Sequence, residues 1–504
     1  LMEGERICHK GFYGTIRFLG EIQGKQGTWV GVEWDDPSRG KHSGEVEGTQ
    51  YFTTKHPGHA SFLKQEVLSE LFFRTIGTAI LEKYADRTEQ DTSELYVPTV
   101  RNMRKEIELI GTEKIQQKQE NLEALKEIDL QEYLVKEIDQ GFGRAIVSCQ
   151  KLLLDRNLLY GWNQVARVLE ELPGLHTLSL GNNRLELPLE TSFTHPLKVL
   201  VLNCMDLKWE ELMGVFPCFP GLEELHLFRN NCNVLHLIPE HFPSLKLLNL
   251  EDNKISSWEM IAQNCAQLPS LEKLILNSNN LEHIYYTEGF PKLEAISVEK
   301  NSLKDWRTVE ELEKFPARIK ELRISGNPEL QNNLQVSLFR FMIIARIGEL
   351  TTLNGSMVRP QERIDSERYF LRSNFNNPEV TQSQRWKDLV EKHGDPSEIA
   401  GRVVSQQENL ENQTVSSGTV EVLLRSLTKA SAGKEVKKNL PLSMSVGALK
   451  GLCSKLFSIP VPEIKLTYRE SKDVIMPETL DDNLKDLDYY MLKDGAEVWI
   501  EDLN

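Results

Sequence analysis

The stretch that decides the fold is Leu271-Glu272-Lys273-Leu274-Ile275-Leu276-Asn277-Ser278-Asn279. Its apolar residues follow a fixed spacing (apolar, two residues, apolar, one residue, apolar), and an asparagine stands three positions after the last. This spacing occurs nine times, at steps of 22 to 26 residues. The copies begin at Leu125, Cys149, Leu175, Leu197, Leu222, Leu245, Leu271, Leu293 and Ile319. Self-similarity at this period predicts a solenoid of stacked units.

Seven of the nine copies carry the asparagine, namely Asn157, Asn183, Asn230, Asn253, Asn279, Asn301 and Asn327; Tyr133 and Met205 replace it in the other two. The region therefore resembles leucine-rich repeats. The alternating apolar residues predict a short parallel strand in each copy, with its leucines facing the core. The asparagine is expected to satisfy backbone groups of the adjacent turn, which would cost about 1–3 kcal/mol each if they were buried unpaired.

The pattern places about nine repeats in residues 121–336. Helical spacing in residues 162–171 and 258–266 predicts helices on the convex side. Because an open stack of repeats needs a cap, the apolar run in 337–372 is expected to close its C-terminal end. Residues 86–120 and 373–418 are predicted to be linkers, the second with a short helix over 386–393.

Outward-facing positions of the strands line the concave face of such a solenoid. Their mixed polarity, with an exposed aromatic residue among them, favours a protein-binding surface, and the alternative is a merely solvated concavity. The candidate contact residues are His226, Phe228, Asn249, Glu251, Asn277, Glu299 and Arg323.

Residues 1–68 are rich in glycine and aromatic residues, and short β-favouring runs between glycine turns predict a small β-barrel. The segment Gly40-Lys41-His42-Ser43-Gly44 places a basic and polar triplet between glycines. These glycines let the backbone approach a ligand closely, and Lys41 supplies charge. The aromatic residues Trp29, Phe52 and Phe62 either form an apolar wall of this site or pack in the barrel core.

This segment resembles the CAP-Gly family, whose hallmark is a GKNDG loop after a G-x-W-x-G-V-x-x-D-x-P stretch. Residues 27–37 follow that stretch, whereas His42 and Ser43 stand where the family usually has Asn and Asp. The resemblance implies capture of acidic, aromatic-ended tails such as that of α-tubulin. Lys41 would then meet the tail carboxylates, His42 would hydrogen-bond, and Trp29 and Phe62 would border the terminal aromatic residue. The first domain is placed at residues 1–85, including a following helix.

Residues 419–504 alternate like strands around one helical segment, over 445–457. The ββαββ order resembles the ubiquitin-like (β-grasp) family, which has an α+β fold. No terminal diglycine is present, and Thr467 and Glu501 replace members of ubiquitin's apolar recognition patch. We therefore expect a docking module rather than a modifier.

Composition limits the function classes. The 504 residues carry a net charge of −16, of which −1 falls in 1–68, −2 in 419–504 and −13 between them, so nucleic acid is an unexpected partner. No stretch reaches the roughly 18 apolar residues of a membrane span, and no targeting segment is visible. Seven scattered cysteines without a CxxC pair indicate reduced thiols and no zinc site. No HExxH, GxSxG, GxGxxG or P-loop motif predicts catalysis, a cofactor or a metal.

The order of the three modules resembles the tubulin-folding cofactors. The resemblance implies a monomeric, non-enzymatic chaperone, cytoplasmic and associated with the cytoskeleton. It would bind α-tubulin and act with cofactors B, C and D in assembling and disassembling the αβ heterodimer. Two alternatives stay open: a CAP-Gly adaptor on the microtubule lattice or plus end, and a ubiquitin-like scaffold that links tubulin to the proteasome.

Overall fold

The fold is taken from a computed structural model, which forms two compact units, Leu1–Phe370 and Leu371–Asn504. It describes residues 1–68, 71–85, 96–98, 104–106, 122–186, 193–331, 336–394, 396, 419–427, 433–442, 444–469, 478–480, 483, 485, 487, 490, 492 and 494–502. Most of the predicted linker 86–120, and half of the predicted linker 373–418, lie outside these ranges. The first linker contains a described pair of antiparallel strands, β8 (Tyr96–Pro98) and β9 (Arg104–Glu106).

The N-terminal module (residues 1–68) is a small β-structure, as the sequence predicts. Its strands are β1 (Arg6–His9), β2 (Phe12–Glu21), β3 (Thr28–Trp34), β4 (Glu45–Val46), β5 (Thr49–Gln50) and β6 (Ala60–Lys64). Four of them form an antiparallel sheet in the order β1-β2-β3-β6, and β4 pairs with β5. Alternate residues of β2 and β3, such as Ile16, Val30 and Val32, are fully buried and form the core.

The segment after this module belongs structurally to the repeats. Strand β7 (Arg74–Thr75) pairs in parallel with β11 (Val135–Glu137), and helix α1 spans Ile76–Tyr84. The apolar face of α1, with Ile76, Ala79 and Ile80, is buried in the same core as the repeats. The sequence places this helix in the first domain, but its apolar face covers the otherwise open N-terminal end of the stack.

The predicted repeat strands are confirmed. They are β10 (Glu127–Asp129), β12 (Lys151–Leu153), β13 (Thr177–Ser179), β14 (Val199–Val201), β15 (Glu224–His226), β16 (Leu247–Asn249), β17 (Lys273–Ile275), β18 (Ala295–Ser297) and β19 (Glu321–Arg323). All neighbours pair in parallel and in register. The central residue of each triplet, a leucine or isoleucine such as Leu274, is buried.

The asparagines form a buried ladder between repeats. The Nδ2 atom of Asn253 donates to the carbonyl oxygen of Leu227 at 2.8 Å, and its Oδ1 atom accepts the N–H groups of Asn230 and Cys232. Asn157, Asn183, Asn230, Asn279, Asn301 and Asn327 make equivalent bonds to backbone groups. The predicted role of this residue is therefore confirmed.

Helices and short turns cover the convex side and the C-terminal end. The helices are α2 (Trp162–Glu171), α3 (Trp209–Leu212), α4 (Trp258–Cys265), α5 (Arg307–Leu312), α6 (Pro328–Gln331), α7 (Val336–Arg346) and α8 (Pro360–Asn374). The 3-10 turns of this unit are Pro37–Arg39, Gln65–Leu68, Leu122–Ala124, Phe142–Ile146, Phe216–Cys218 and Pro239–His241. Strands β20 (Thr352–Leu353) and β21 (Ser356–Met357) extend the sheet beyond β19.

The second unit contains a β-grasp sheet in the order β23-β22-β26-β24-β25. Its elements are α9 (Pro378–Thr381), α10 (Gln384–His393), β22 (Thr419–Ser426), β23 (Glu435–Pro441), α11 (Val446–Phe457), a 3-10 turn (Val461–Glu463), β24 (Ile464–Arg469), β25 (Glu478–Thr479) and β26 (Ala496–Asp502). Ser445 caps α11 by accepting the N–H of Ala448. The parallel pairing of β22 with β26 completes the predicted ubiquitin-like fold.

Candidate functional site

The groove loop (residues 40–44) depends on its two glycines for close backbone contacts. A Cβ atom at Gly40 would overlap the carbonyl oxygen of Gly58, and one at Gly44 would overlap that of Phe52. Gly44 also has a φ of +96°, a conformation that side chains disfavour. The N–H of Lys41 donates to the carbonyl oxygen of Ala60 at 2.7 Å, and the Lys41 side chain is exposed. The backbone of the loop is thereby fixed while its cation faces solvent.

His42 and Ser43 use their side chains to hold this loop. The Nδ1 atom of His42 accepts the N–H of Gly44 at 3.1 Å, and the Oγ atom of Ser43 accepts the N–H of Gly58 at 2.9 Å. Burial lowers the pKa of His42; Glu45 opposes the shift, and Lys25 and Lys41 add to it. The neutral ring therefore keeps an acceptor at Nδ1 and places its proton on Nε2.

An aromatic cluster lies beside the groove loop, with the half-buried Phe62 at its centre. The ring of His42 stacks on Phe62 with centroids 5.1 Å apart, and the buried Phe52 meets Phe62 edge-on at 5.3 Å. Phe18 and Tyr51 also contact Phe62, at 5.9 and 5.8 Å. Sequence reasoning missed these last two residues, although the pair Tyr51-Phe52 within a glycine-rich segment was a usable signal.

Trp29 lies half-buried on β3, and the ammonium group of Lys25 lies over the face of its ring. The Nζ atom of Lys25 is 5.5 Å from the ring centroid, within the range of a cation–π contact. Phe52 fills the space above Gly31, where a Cβ atom would overlap its ring. Of the three candidate aromatic residues, Phe52 is thus a core residue, whereas Trp29 and Phe62 each retain exposed surface. The site therefore combines exposed cations with accessible aromatic surface.

On the concave face, two of the predicted residues are direct neighbours on adjacent strands. His226 pairs in register with Asn249, and Ser297 with Arg323. Phe228 is half-buried, and His226 Nε2 lies 3.3 Å from Glu224 Oε2.

Several of the polar candidates there already have partners within the repeats. Asn249 Oδ1 accepts the N–H of Glu251 at 2.9 Å. Asn277 Oδ1 accepts from both Ser297 Oγ and the N–H of Glu299. Arg323 Nε lies 3.6 Å from Glu321 Oε1. These polar side chains organise the face, so the side chains open to a partner are mainly Phe228 and its apolar neighbours.

Those neighbours form a half-buried apolar stripe that the candidate contact residues from the sequence do not include. It consists of Val199, Val201, Leu247 and Ile275. The period of two along each strand contains the signal. Val199 and Leu247 stand one position before the buried central leucine of their strands, and Val201 and Ile275 one position after it. An apolar centre with a polar margin is the usual anatomy of a protein-binding surface.

Two further findings concern the described ranges alone. No group of three or more His, Cys, Asp or Glu side chains there is placed to hold a metal ion. None of the helices among these residues combines the length and the apolar composition that crossing a membrane requires.

Two family sequence models match the ends of the chain. The CAP-Gly domain model matches residues 3–68, and the ubiquitin-like domain model matches residues 420–504. Together with the repeats, they define a multidomain protein with a CAP-Gly module, a leucine-rich-repeat solenoid and a ubiquitin-like module.

Relatives that match over nearly the whole of both chains show the family within this class of multidomain proteins. The chain is 31% identical to tubulin-specific chaperone E of Xenopus laevis, over 97% of this chain and 96% of the relative. It is 32% identical to tubulin-specific chaperone E of Homo sapiens, over 98% and 97% of the two chains. For tubulin-folding cofactor E of Arabidopsis thaliana the identity is 31%, over 97% and 95%. The chain belongs to the tubulin-specific chaperone E family.

Among solved structures, the solution structure of the C-terminal ubiquitin-like domain of mouse tubulin-specific chaperone E is 27% identical to this chain. It covers 18% of this chain and 91% of that domain, with a TM-score of 0.16.

Proposed function

We propose that this chain binds α-tubulin at two places and acts with tubulin-folding cofactors B, C and D in assembling and disassembling the αβ heterodimer. The N-terminal module takes the acidic, aromatic-ended tail, and the concave repeat face holds the folded body. The observation that carries the proposal is the exposed Lys41 beside the aromatic cluster around Phe62. A carboxylate and an aromatic ring at one chain end fit this pairing of charge and apolar surface.

Two contacts raise the affinity above that of either alone. Once the tail is bound, the tubulin body is confined near the repeats, and the second contact becomes effectively intramolecular. The apolar stripe and Phe228 offer the desolvated centre that such a contact needs, while the surrounding charges restrict its orientation.

The tail contact is tested by fluorescence anisotropy of a labelled peptide with the acidic, aromatic-ended sequence of an α-tubulin tail. The full chain is expected to bind it, and Lys41→Glu to weaken binding at least tenfold. Lys10→Glu is the matched control, since Lys10 follows β1 at the opposite edge of the sheet from β6. Equal affinity of wild type and Lys41→Glu would contradict the tail contact.

The body contact is tested by co-purification with free tubulin. Phe228→Ala is expected to reduce the amount of bound tubulin, whereas Val234→Ala, an exposed residue outside the concave strands, should not. Sedimentation with polymerised microtubules separates this function from that of a lattice adaptor. A chain that pellets with polymer but captures no free tubulin would favour the adaptor.

The scaffold alternative concerns the ubiquitin-like module, whose outer sheet face is charged. Three cross-strand ion pairs lie on this face, joining Arg425 to Glu435, Lys437 to Glu421 and Lys465 to Glu501, beside the pair of Arg469 with the buried Glu497. Such a surface differs from the apolar patch that ubiquitin receptors recognise, which disfavours the scaffold reading. Loss of proteasome binding on deletion of 419–504 would support it instead.

A further inference from the structure

The N-terminal module contacts the loops that follow four successive repeat strands, β10, β12, β13 and β14. The contacts are Glu5 Oε2 to Lys136 Nζ at 3.0 Å, Tyr13 under the Arg156 guanidinium at 5.4 Å, Arg17 Nη1 to Glu186 Oε1 at 2.5 Å, and His56 Nε2 to Asp206 Oδ2 at 2.8 Å. We call these segments the repeat edge (residues 132–136, 156, 184–186 and 206–211); they include part of β11 and the start of α3. One contact per repeat fixes the orientation of the module as well as its position.

Arg17 carries the contact from the repeat edge into the module. Its Nε atom donates to Glu33 Oε2 at 2.9 Å while Nη1 reaches Glu186. Burial alone would lower the pKa of Arg17, but the hydrogen bonds and charges of Glu186 and Glu33 outweigh it, and the net pKa is raised. The other oxygen of Glu33, Oε1, accepts the backbone N–H groups of Lys55 and His56 at 2.5 and 3.3 Å.

Lys55 and His56 belong to the back loop (residues 53–59), which supports the groove loop from behind. Gly58 donates its N–H to Ser43 Oγ, and its carbonyl oxygen occupies the space that a Cβ atom at Gly40 would need. An unbroken series of contacts therefore runs from Glu186 through Arg17 and Glu33 to the groove loop. A second link, from Asp206 to His56, holds the same back loop directly.

We propose that the repeat edge positions the tail groove: Glu186 and Asp206 hold the back loop, and the back loop holds Gly40 to Gly44 in the shape that binds a tail. The proposal rests on the proposed function. An exposed loop without these anchors samples more conformations, and ordering it on binding lowers affinity. Glu186 and Asp206 are thus positioning residues that act through Arg17 and His56 and touch no ligand.

The test uses the full chain with Glu186→Ala and, separately, Asp206→Asn, which suits the positive φ of that residue. The matched control is Asp252→Asn, also at positive φ, which removes a carboxylate that pairs with Arg229 inside the repeats. The first readout needs no ligand: amide hydrogen exchange of peptides covering 40–59. The second is the affinity for the labelled tail peptide.

We expect exchange in 40–59 to accelerate at least threefold, and peptide affinity to fall about threefold to tenfold, in both variants but not in the control. Unchanged exchange in both variants would overturn the positioning role, whatever the peptide does. Unchanged peptide affinity in both, where wild type binds and Lys41→Glu does not, would also overturn it and leave the tail contact standing. Accelerated exchange in a protein that binds no peptide would instead refute the tail contact alone.

Discussion

His42 accepts the backbone N–H of Gly44 at Nδ1, over 3.1 Å, while its ring lies 5.1 Å from that of Phe62. An asparagine or aspartate side chain makes the same bond to the backbone two residues on. The imidazole thus performs, in its neutral form, the local role of the asparagine that is usual at this position of CAP-Gly loops. It also adds an aromatic surface to the cluster.

This bond makes the loop sensitive to acid. Burial lowers the pKa of His42, so its folded value lies below the unfolded value of about 6.5. The contribution of this group to stability is complete above pH ~6.5 and is lost as the pH falls through the folded pKa.

We expect the His42 ring signal to titrate below pH 6.5 by NMR. We also expect His42→Asn to lose less thermal stability than wild type between pH 7.5 and 5.5. Titration of His42 above pH 6.5 would contradict this account.

The buried asparagines of the ladder should contribute far more to the free energy of unfolding than exposed asparagines next to them in sequence. Asn279 donates to the carbonyl oxygens of Leu250 and Leu276 and accepts two backbone N–H groups, with the side chain buried. Asn279→Ala leaves those groups unpaired, so we expect the free energy of unfolding to fall by about 3 kcal/mol. The adjacent, exposed Asn280 provides the control, since Asn280→Ala should change it by less than about 0.5 kcal/mol. Urea unfolding of both variants measures the difference, and equal effects would argue against the ladder.

The buried ion pair between the N-terminal module and the repeats gives a third prediction. Glu5 and Lys136 are both nearly inaccessible, with 11% and 9% of their side chains exposed. Removing one partner strands a buried charge, so Lys136→Met should destabilise the unit by about 3–5 kcal/mol. The double variant Glu5→Leu/Lys136→Met should recover most of this loss. As a control, Lys151→Ala breaks an exposed pair with Glu127 and should cost at most about 1 kcal/mol. Additive effects in the double variant would show that the pair does not interact.

Much of the fold can be predicted from the sequence because the same short-range pattern of apolar residues and asparagine recurs in each repeat. Each repeat strand has a buried central leucine or isoleucine, and seven of the nine turns carry the asparagine, so one short pattern predicts all nine strands. In the ubiquitin-like fold, the strand-like pattern of residues 420–427 and the helical spacing of residues 445–457 predict β22 and α11 to within about a residue. The groove loop could be predicted because Gly40 and Gly44 flank a basic and polar triplet, and both positions require a residue without a Cβ atom.

Contacts between distant charges have no such pattern. Glu5 and Lys136 are 131 positions apart, and nothing near either residue indicates its partner. Glu33 looks like any strand residue in the sequence, yet it joins Arg17 to the back loop. Helix α1 follows the first domain in sequence, whereas its apolar face is buried in the core of the repeats. Each of these features depends on contacts between modules that are distant in sequence. Hydrophobic periodicity reports only the local structure of one segment, so it does not indicate such contacts.

The ubiquitin-like module carries a buried carboxylate whose charge depends on one arginine. Glu497 is 2% exposed, and its Oε2 atom accepts from Arg469 Nε at 2.9 Å and Nη2 at 2.6 Å. Burial would raise the pKa of Glu497, but the hydrogen bonds from Arg469 and Trp499 outweigh it and the net pKa is lowered. This pair therefore stabilises the module above pH ~4.5, and its contribution is lost as the pH falls through the folded pKa.

Arg469→Ala should reverse that dependence. The stranded carboxylate costs about 3 kcal/mol near neutral pH, and protonation relieves part of the loss, so the variant should recover stability as the pH falls towards 5. Hydrogen exchange of peptides from 419–502 measures the local stability in the full chain. Lys437→Ala removes an exposed cross-strand pair with Glu421 and should leave exchange nearly unchanged. If Arg469→Ala were no more destabilising than this control at pH 7, water rather than Arg469 would be solvating Glu497.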